Sequence, residues 1–196
     1  MFSAIQGTGH LVGARQFFVR LAGCSIVDCE IRSVCDEVRA LTDQHASSFE
    51  PSRIVEMALQ ASDKHDGWLH ITGGEPCDQP DELEELLRLA SEAGLRTHVQ
   101  SSGTRYVPGR WDWITISPKV GLRPVQDFGQ ECVVIYDGQS EAELRELRER
   151  TRFWDYYLCP LWRDGEMVNP QKAAALVHKL EGWRLTCQMH KWFGIL

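Results

Sequence analysis

Short apolar, β-branched segments alternate along this chain with stretches whose apolar residues recur at helical spacing. The segments that predict strands are 16–21, 68–72, 96–100, 113–117, 132–136, 156–159 and 184–187. The amphipathic stretches place Ile54, Val55, Ala58 and Leu59 on one helix face, and Leu83, Leu86, Leu87 and Ala90 on another. Strands that alternate with helices pair in parallel through crossover connections, so this order predicts an open sheet or a barrel with helices outside.

Two further helices carry recognisable start signals. One of them is expected to start at Ser140, which has Glu143 three residues later, and the other at Asn169, before Pro170 and residues 173–180. Gly94 and Gly182 suit helix ends. About seven strands and four helices predict an α/β fold with reduced helix content. We therefore expect a modified, partial (β/α) barrel formed by residues 1–196 as a single domain.

Composition narrows the class of protein. With 43% hydrophobic and 25% charged residues, the chain of 196 residues matches a globular protein, and no apolar run approaches the ~20 residues of a membrane-spanning helix. The net charge of −7, without a Lys/Arg-rich stripe, argues against a nucleic-acid partner. Residues 1–6 lack the pattern of a secretory signal. We expect a soluble, cytoplasmic protein with no membrane partner.

Three of the seven cysteines, Cys24, Cys29 and Cys35, lie within twelve residues directly after the first predicted strand. The other four are scattered, and a reducing compartment disfavours a disulfide scaffold. Three thiolates on one loop can hold three corners of a cubic iron–sulfur cluster and leave the fourth iron open to a ligand. With His45 they would equally form a zinc site. Their spacing alone leaves a cluster, zinc and unliganded thiols equally open.

Polar or glycine-rich residues follow most of the predicted strands. They are Gly73-Gly74-Glu75-Pro76, Ser101-Ser102-Gly103-Thr104, Ser117-Pro118-Lys119 and Gln188-Met189-His190-Lys191. Each is ordinary alone, since such a glycine pair is more often a tight turn and such a lysine is usually at the surface. The carboxyl ends of parallel strands, however, share one face, where ligands bind. The sequence therefore predicts one site in which Glu75 can take an ammonium group and Lys119 can balance an anion.

In this order, the segments resemble those of radical S-adenosylmethionine enzymes and, more narrowly, of the 7-carboxy-7-deazaguanine synthase family. The similar segments are 2–9, 18–24, 72–76, 102–104, 117–119 and 188–191. Each is weak alone, but their order and spread along so short a chain make the match specific.

The resemblance implies a [4Fe–4S] cluster on Cys24, Cys29 and Cys35 that binds S-adenosylmethionine through its open iron. One electron then cleaves the sulfonium, and the 5′-deoxyadenosyl radical abstracts hydrogen from 6-carboxy-5,6,7,8-tetrahydropterin. The substrate ring contracts with loss of ammonia to 7-carboxy-7-deazaguanine, a precursor of queuosine-type nucleosides. The resemblance also implies a reducing donor such as flavodoxin or ferredoxin. It further implies a homodimer, and the apolar residues Trp192, Phe193, Ile195 and Leu196 would either form its interface or pack in the core.

The resemblance also implies roles for individual residues. Gly73, Gly74 and Glu75 would hold the methionyl ammonium of the cofactor, and Ser102, Ser117 and Lys119 would contact the rest of it. The substrate would be bound by Gln6, Thr8, Arg20, Gln188 and His190. Among these, Arg20 would pair with the pterin carboxylate, since its guanidinium fork suits two oxygens.

The chain departs from the family at several of these positions. Four and five residues separate the cysteines, where the family commonly has three and two. Glu37 occupies the place of a threonine that helps to hold Mg²⁺, and Thr8 replaces a carboxylate of the substrate pocket. We expect Glu37 either to bind Mg²⁺ differently or to lie near the substrate without a metal. As a separate hypothesis, Glu37 compensates for the carboxylate that Thr8 lacks. Residues 100–102 differ from the family pattern as well.

Two other functions share part of this pattern. Activation of a glycyl-radical partner would use the same cluster and Gly-Gly-Glu-Pro turn but would not need Arg20 and His190. A zinc-stabilised, non-catalytic binding protein would need neither cluster nor cofactor.

Overall fold

One eight-stranded sheet organises the chain, of which this computed structural model describes residues 1–29, 31–44, 46–119 and 123–195. The strands lie across the sheet in the order β1 (Phe2–Ile5), β2 (Arg15–Leu21), β3 (Trp68–Gly73), β4 (Arg96–Ser101), β5 (Trp113–Ile116), β6 (Phe128–Tyr136), β7 (Arg152–Pro160) and β10 (Trp183–Leu185). A separate hairpin pairs β8 (Trp162–Arg163) with β9 (Glu166–Met167).

All neighbouring strands from β2 to β10 pair in parallel, as the sequence predicted. The exception is β1, which the sequence did not predict and which pairs antiparallel with β2, placing Phe2 opposite Phe18. Because β1 and β10 form two separate edges, the sheet is open. The prediction of a partial barrel with few helices is confirmed.

The four predicted helices are present in the described residues, together with a fifth, short one near the C-terminus. They are α1 (Pro51–Gln60), α2 (Pro80–Glu92), α3 (Glu141–Arg150), α4 (Pro170–Val177) and α5 (Met189–Phe193). The predicted capping box is confirmed, since Ser140 and Glu143 each bond the other's backbone N–H through their side chains. The start of α4 differs from the prediction, because Asn169 is left-handed at φ 50° and its side chain makes no cap bond.

The two faces of the sheet differ in chemistry because successive strand residues point in opposite directions. One face packs its apolar residues against the helices, with Val19, Ile71 and Val99 almost wholly buried in that core. The opposite face carries buried polar residues at the alternate positions, among them His70 and Glu131. This polar face leads up to the carboxyl ends of the strands and supplies the walls of a site there. None of the helices in the described residues is long and apolar enough to cross a membrane.

Candidate active site

A cavity of about 360 Å³ lies at the carboxyl ends of the parallel strands, where the sequence predicted the site. Its size falls within the usual ~300–1,000 Å³ of ligand pockets. Its walls contain every residue to which the family resemblance gives a role in binding the cluster, the cofactor, magnesium or the substrate. These residues are Cys24, Cys29, Cys35, Glu37, Gly73, Gly74, Glu75, Ser102, Ser117, Lys119, Gln6, Thr8, Arg20, Gln188 and His190.

The cysteine loop leaves β2 and is anchored at its base by hydrogen bonds. The Gly23 N–H donates to the Ala40 carbonyl at 2.9 Å, which closes the loop on itself. The Ser25 N–H and hydroxyl donate to the Asp78 carboxylate at 2.7 and 2.8 Å, which ties the loop to the segment before α2. The longer spacing between the cysteines is therefore accommodated in a loop that stays attached to the sheet.

The thiols of Cys24, Cys29 and Cys35 are half-buried in the cavity wall, and no fourth cysteine of the described residues lines it. Burial raises the pKa of Cys35, against a hydrogen bond from the Glu37 backbone. Within the described part of the chain, no three His, Cys, Asp or Glu side chains are grouped to hold one metal ion. His45, which would complete the alternative zinc set, lies outside the described residues. Separate thiols on one loop suit a cubic cluster, in which each thiolate binds a different iron.

The Gly73-Gly74 turn lies directly against the end of β2. The Gly74 N–H donates to Leu21 O and the Glu75 N–H donates to Gly23 O, both at 2.9 Å. A Cβ on Gly74 would overlap the Gly23 carbonyl, and one on Gly73, at φ +125°, would overlap the backbone of Leu21. The glycines are therefore required by contact between two backbone segments, which brings the cysteine loop and the turn together at one cavity edge.

Glu75 is almost wholly buried and accepts four hydrogen bonds from neighbouring residues. Its Oε1 accepts from the Ser101 hydroxyl at 2.6 Å and the Cys77 N–H at 3.1 Å. Its Oε2 accepts from the N–H and the hydroxyl of Ser102 at 3.0 and 2.5 Å. Because a carboxylate has about four acceptor sites, Glu75 is saturated by protein donors and joins the end of β3 to the end of β4.

Arg20, at the end of β2, forms an ion pair with Glu37 of the cysteine loop, with Nη2 2.8 Å from Oε1. The guanidinium also lies over the Phe2 ring, 4.6 Å from its centroid. Burial raises the pKa of Glu37, and the charge of Arg20 opposes this effect. A fixed cation and a partly buried carboxylate thus stand together on the side of the cavity proposed for the substrate.

The C-terminal segment closes another wall. Asp36 accepts hydrogen bonds from Gln188 and from Lys191, and this joins the cysteine loop to α5. The Met189 N–H donates to Gly7 O at 3.0 Å, which joins α5 to the loop after β1. Three segments that are distant in sequence therefore meet around the cavity.

The remaining predicted residues are held by local contacts. Gln6 Nε2 donates to Thr8 O at 3.1 Å, and Lys119 Nζ donates to Ser117 Oγ at 3.4 Å. Burial, with the nearby charge of Lys191, lowers the pKa of His190. The neutral imidazole of His190 can both donate and accept a hydrogen bond.

Among the cavity-wall residues that sequence reasoning missed are two with titratable side chains, His70 and Asp36. His70 lies within a segment that the sequence predicted as a strand, but at the alternate position to the core residue Ile71. A polar residue at an inward position of a buried strand was the available signal. Nothing in the local sequence pointed to the pairing of Asp36 with α5.

Comparison with known proteins finds a relative that is similar in sequence over nearly the whole chain. No protein-family model matches the chain. The 7-carboxy-7-deazaguanine synthase of a Synechocystis species is 31% identical over 199 residues, which cover 99% of this chain and 90% of that protein.

Two solved structures share the fold. QueE from Escherichia coli aligns with a TM-score of 0.65 at 22% identity, covering 97% of this chain and 92% of that one. Streptococcus suis SuiB bound to S-adenosylmethionine aligns with a TM-score of 0.59 at 14% identity, covering 87% of this chain and 49% of that one. By its full-length similarity to the Synechocystis protein, the chain belongs to the 7-carboxy-7-deazaguanine synthase family of radical S-adenosylmethionine enzymes.

Proposed function

We propose that the chain catalyses the ring contraction of 6-carboxy-5,6,7,8-tetrahydropterin to 7-carboxy-7-deazaguanine with loss of ammonia. The observation that carries this proposal is the shared cavity, in which the three-cysteine loop and the residues Gln6, Arg20 and His190 face the same space. Family membership supports the same reaction. The product would enter the biosynthesis of queuosine-type 7-deazapurines.

Cys24, Cys29 and Cys35 would hold a [4Fe–4S] cluster, and the Gly73–Glu75 turn would lie next to S-adenosylmethionine. When bound, these two groups supply the electron and the radical that start the reaction. The donor set fits a cluster with one open iron, because the described cavity wall offers three thiols. The task of the chain's own residues is to bind, orient and shield the reactants.

The saturated carboxylate of Glu75 defines how the turn can hold the methionyl ammonium. Its four acceptor sites are taken by Ser101, Ser102 and Cys77, so it would act on the ammonium mainly as a fixed negative charge. The carbonyl oxygens of Gly73 and Gly74 would accept the ammonium protons. Ser102, Ser117 and Lys119 would contact the remainder of the cofactor.

On the substrate side, Arg20 would pair with the pterin carboxylate through its guanidinium fork. Glu37 holds that guanidinium at 2.8 Å and fixes its position before the substrate arrives. The neutral His190 would hydrogen-bond the heterocycle, with Gln6, Thr8 and Gln188 as further polar contacts.

The binding of a magnesium ion in the cavity would also depend on Glu37. The described residues form no group of three carboxylate, thiol or imidazole ligands, so Glu37 would be one protein ligand in a set that the protein does not complete. Mg²⁺ retains several waters in such sites, and the substrate carboxylate would complete the set. If Glu37 stays with Arg20, the reaction proceeds without the ion, and the assay described below separates these two cases.

We further propose a flavodoxin or ferredoxin as electron donor, a cytoplasmic location and a homodimer. Trp192 and Phe193 stack on each other at 6.0 Å between ring centroids and are both largely exposed. An exposed aromatic pair of this kind supports an interface between copies of the chain. Leu196, which belonged to the same predicted apolar tail, lies outside the described residues.

The test is an anaerobic assay of reconstituted protein with dithionite, S-adenosylmethionine and the carboxylated tetrahydropterin, with and without Mg²⁺. We expect 7-carboxy-7-deazaguanine and 5′-deoxyadenosine to form together. Formation of 5′-deoxyadenosine without the deazaguanine would instead favour another radical reaction, such as activation of a glycyl-radical partner. Colourless protein that contains zinc and no sulfide would contradict the proposal that the chain is a radical S-adenosylmethionine enzyme.

A further inference from the structure

His70 lies in the wall of the cavity with unpaired ring nitrogens. Its side chain is 1% exposed, and within the described residues neither Nδ1 nor Nε2 has a hydrogen-bond partner. A buried polar group without a partner is destabilising, and native proteins contain few of them. The position therefore calls for a ligand or a water molecule that completes these bonds.

The other two almost fully buried histidines are satisfied by the protein itself. His65 Nε2 lies 2.9 Å from Ala58 O, and its Nδ1 accepts from the Gly67 N–H at 3.0 Å. His98 Nδ1 lies 3.2 Å from Gln16 Oε1, and its Nε2 lies 2.8 Å from Thr115 Oγ1. Of these three described histidines, His70 alone lines the cavity and alone has no hydrogen-bond partner among the described residues. Its unpaired state thus coincides with its position in the site.

The orientation of the His70 ring is fixed by its neighbours on both adjacent strands. The ring stacks on His98 of β4 with 3.8 Å between centroids, and it meets the Phe18 ring of β2 at 4.6 Å. Since His98 is itself held by two hydrogen bonds, the stack leaves His70 little freedom to turn. Its nitrogens are thus preorganised.

The charge state of His70 defines what it can recognise. Burial lowers its pKa well below the usual value, and the proximity of His98 and Arg20 acts in the same direction. A neutral imidazole carries one N–H donor and one bare nitrogen acceptor. This pair suits a heterocycle that has both N–H groups and ring or carbonyl acceptors, and it suits a carboxylate less well than the neighbouring Arg20 does.

We infer that His70 binds the heterocycle of the substrate and completes its hydrogen bonds only when the pterin is present. This inference rests on the proposed function and adds a residue to the substrate site. Arg20 would bind the carboxylate of the substrate. His70 lies on the neighbouring strand β3, two residues before Thr72, and would bind the ring.

The test measures equilibrium binding of the carboxylated tetrahydropterin to cluster-loaded protein, with S-adenosylmethionine present and no reductant, so that no turnover occurs. His70→Leu removes both nitrogens at similar volume, whereas His70→Gln keeps a donor and an acceptor. We expect His70→Leu to weaken pterin binding about tenfold while the affinity for S-adenosylmethionine stays within about twofold. His70→Gln should retain most of the pterin affinity. The Tm of His70→Leu without pterin should equal or exceed that of the wild type, because a buried unpaired group is gone.

Three results would overturn the inference. One is a His70→Leu variant that binds the pterin as tightly as the wild type, which would mean that water alone satisfies the nitrogens. Another is an equal loss of affinity for pterin and S-adenosylmethionine, which would indicate general distortion. Wild-type protein that does not bind the pterin at all would refute the proposed function itself, and the wild-type measurement alone reveals that outcome.

Discussion

Arg20 and Glu37 form an ion pair, with Arg20 Nη2 2.8 Å from Glu37 Oε1, between the end of β2 and the cysteine loop. Both side chains line the cavity, and both keep some exposure, 43% for Arg20 and 23% for Glu37. Since Thr8 supplies no carboxylate, Glu37 is the described acidic partner of this arginine. The pair therefore links the proposed substrate site to the loop that would hold the cluster.

Replacing Glu37 by Thr removes the carboxylate that fixes Arg20. We expect kcat/KM for the pterin to fall about tenfold, since a charge-assisted contact that positions the arginine is lost. Steady-state kinetics of Glu37→Thr measure this effect. Glu56→Thr is the matched control, because Glu56 pairs with Arg53 on the surface of α1 at 2.9 Å, and its kinetics should match the wild type. An unchanged rate for Glu37→Thr would reject the role of Glu37.

Replacing Glu75 by Ala leaves the donors of Ser101, Ser102 and Cys77 without their acceptor. Because these donors are buried, we expect the free energy of unfolding to fall by about 3 kcal/mol. Urea-induced unfolding measures the change, and Glu84→Ala on the exposed side of α2 should be near neutral. Similar stabilities for the two variants would contradict the hydrogen-bond network described for Glu75.

Gly73 and Gly138 both have a positive φ, so alanine variants at these two positions distinguish backbone strain from steric overlap. Gly73 has φ +125° and Gly138 has φ +108°, but a Cβ meets the Leu21 backbone only at Gly73 and open space at Gly138. We expect Gly138→Ala to lose about 1 kcal/mol through its positive φ and to bind S-adenosylmethionine normally. Gly73→Ala should lose more stability and most of its affinity for the cofactor. Equal behaviour in unfolding and binding assays would show that the close contact with β2 is unimportant.

The sequence predicted which residues line the cavity better than it predicted the contacts among them. Positions such as Cys24, Glu75 and Lys119 could be found because residue type and place at a strand end are both local features. The pairing of Asp36 with Gln188 could not, because it joins residues 152 positions apart and depends on how the C-terminal segment packs. The strand β1 was missed for a related reason, since four residues at a sheet edge carry little periodicity.

The burial of His98 makes the free energy of unfolding depend on pH. Burial lowers its pKa to about 3 in the folded protein, against about 6.5 in an unfolded chain. Between these values the unfolded chain binds more protons, so the free energy of unfolding falls as the pH falls, by up to about 1.4 kcal/mol per pH unit. His98→Gln should lose less stability than the wild type between pH 7 and pH 5.

Urea unfolding at those two pH values measures the difference. The exposed His178 at the end of α4 provides the control, and His178→Gln should retain the pH dependence of the wild type. A His98→Gln variant with the same pH dependence would contradict the assignment to His98.

Iron, sulfide and 5′-deoxyadenosine measured on single cysteine variants test the central claim most directly. Cys24→Ala, Cys29→Ala and Cys35→Ala should each lose the cluster and cofactor cleavage. Cys132→Ala, in the core on the opposite face of the sheet, should retain both. Full iron and sulfide content with undiminished 5′-deoxyadenosine in any of the three loop variants would contradict the account.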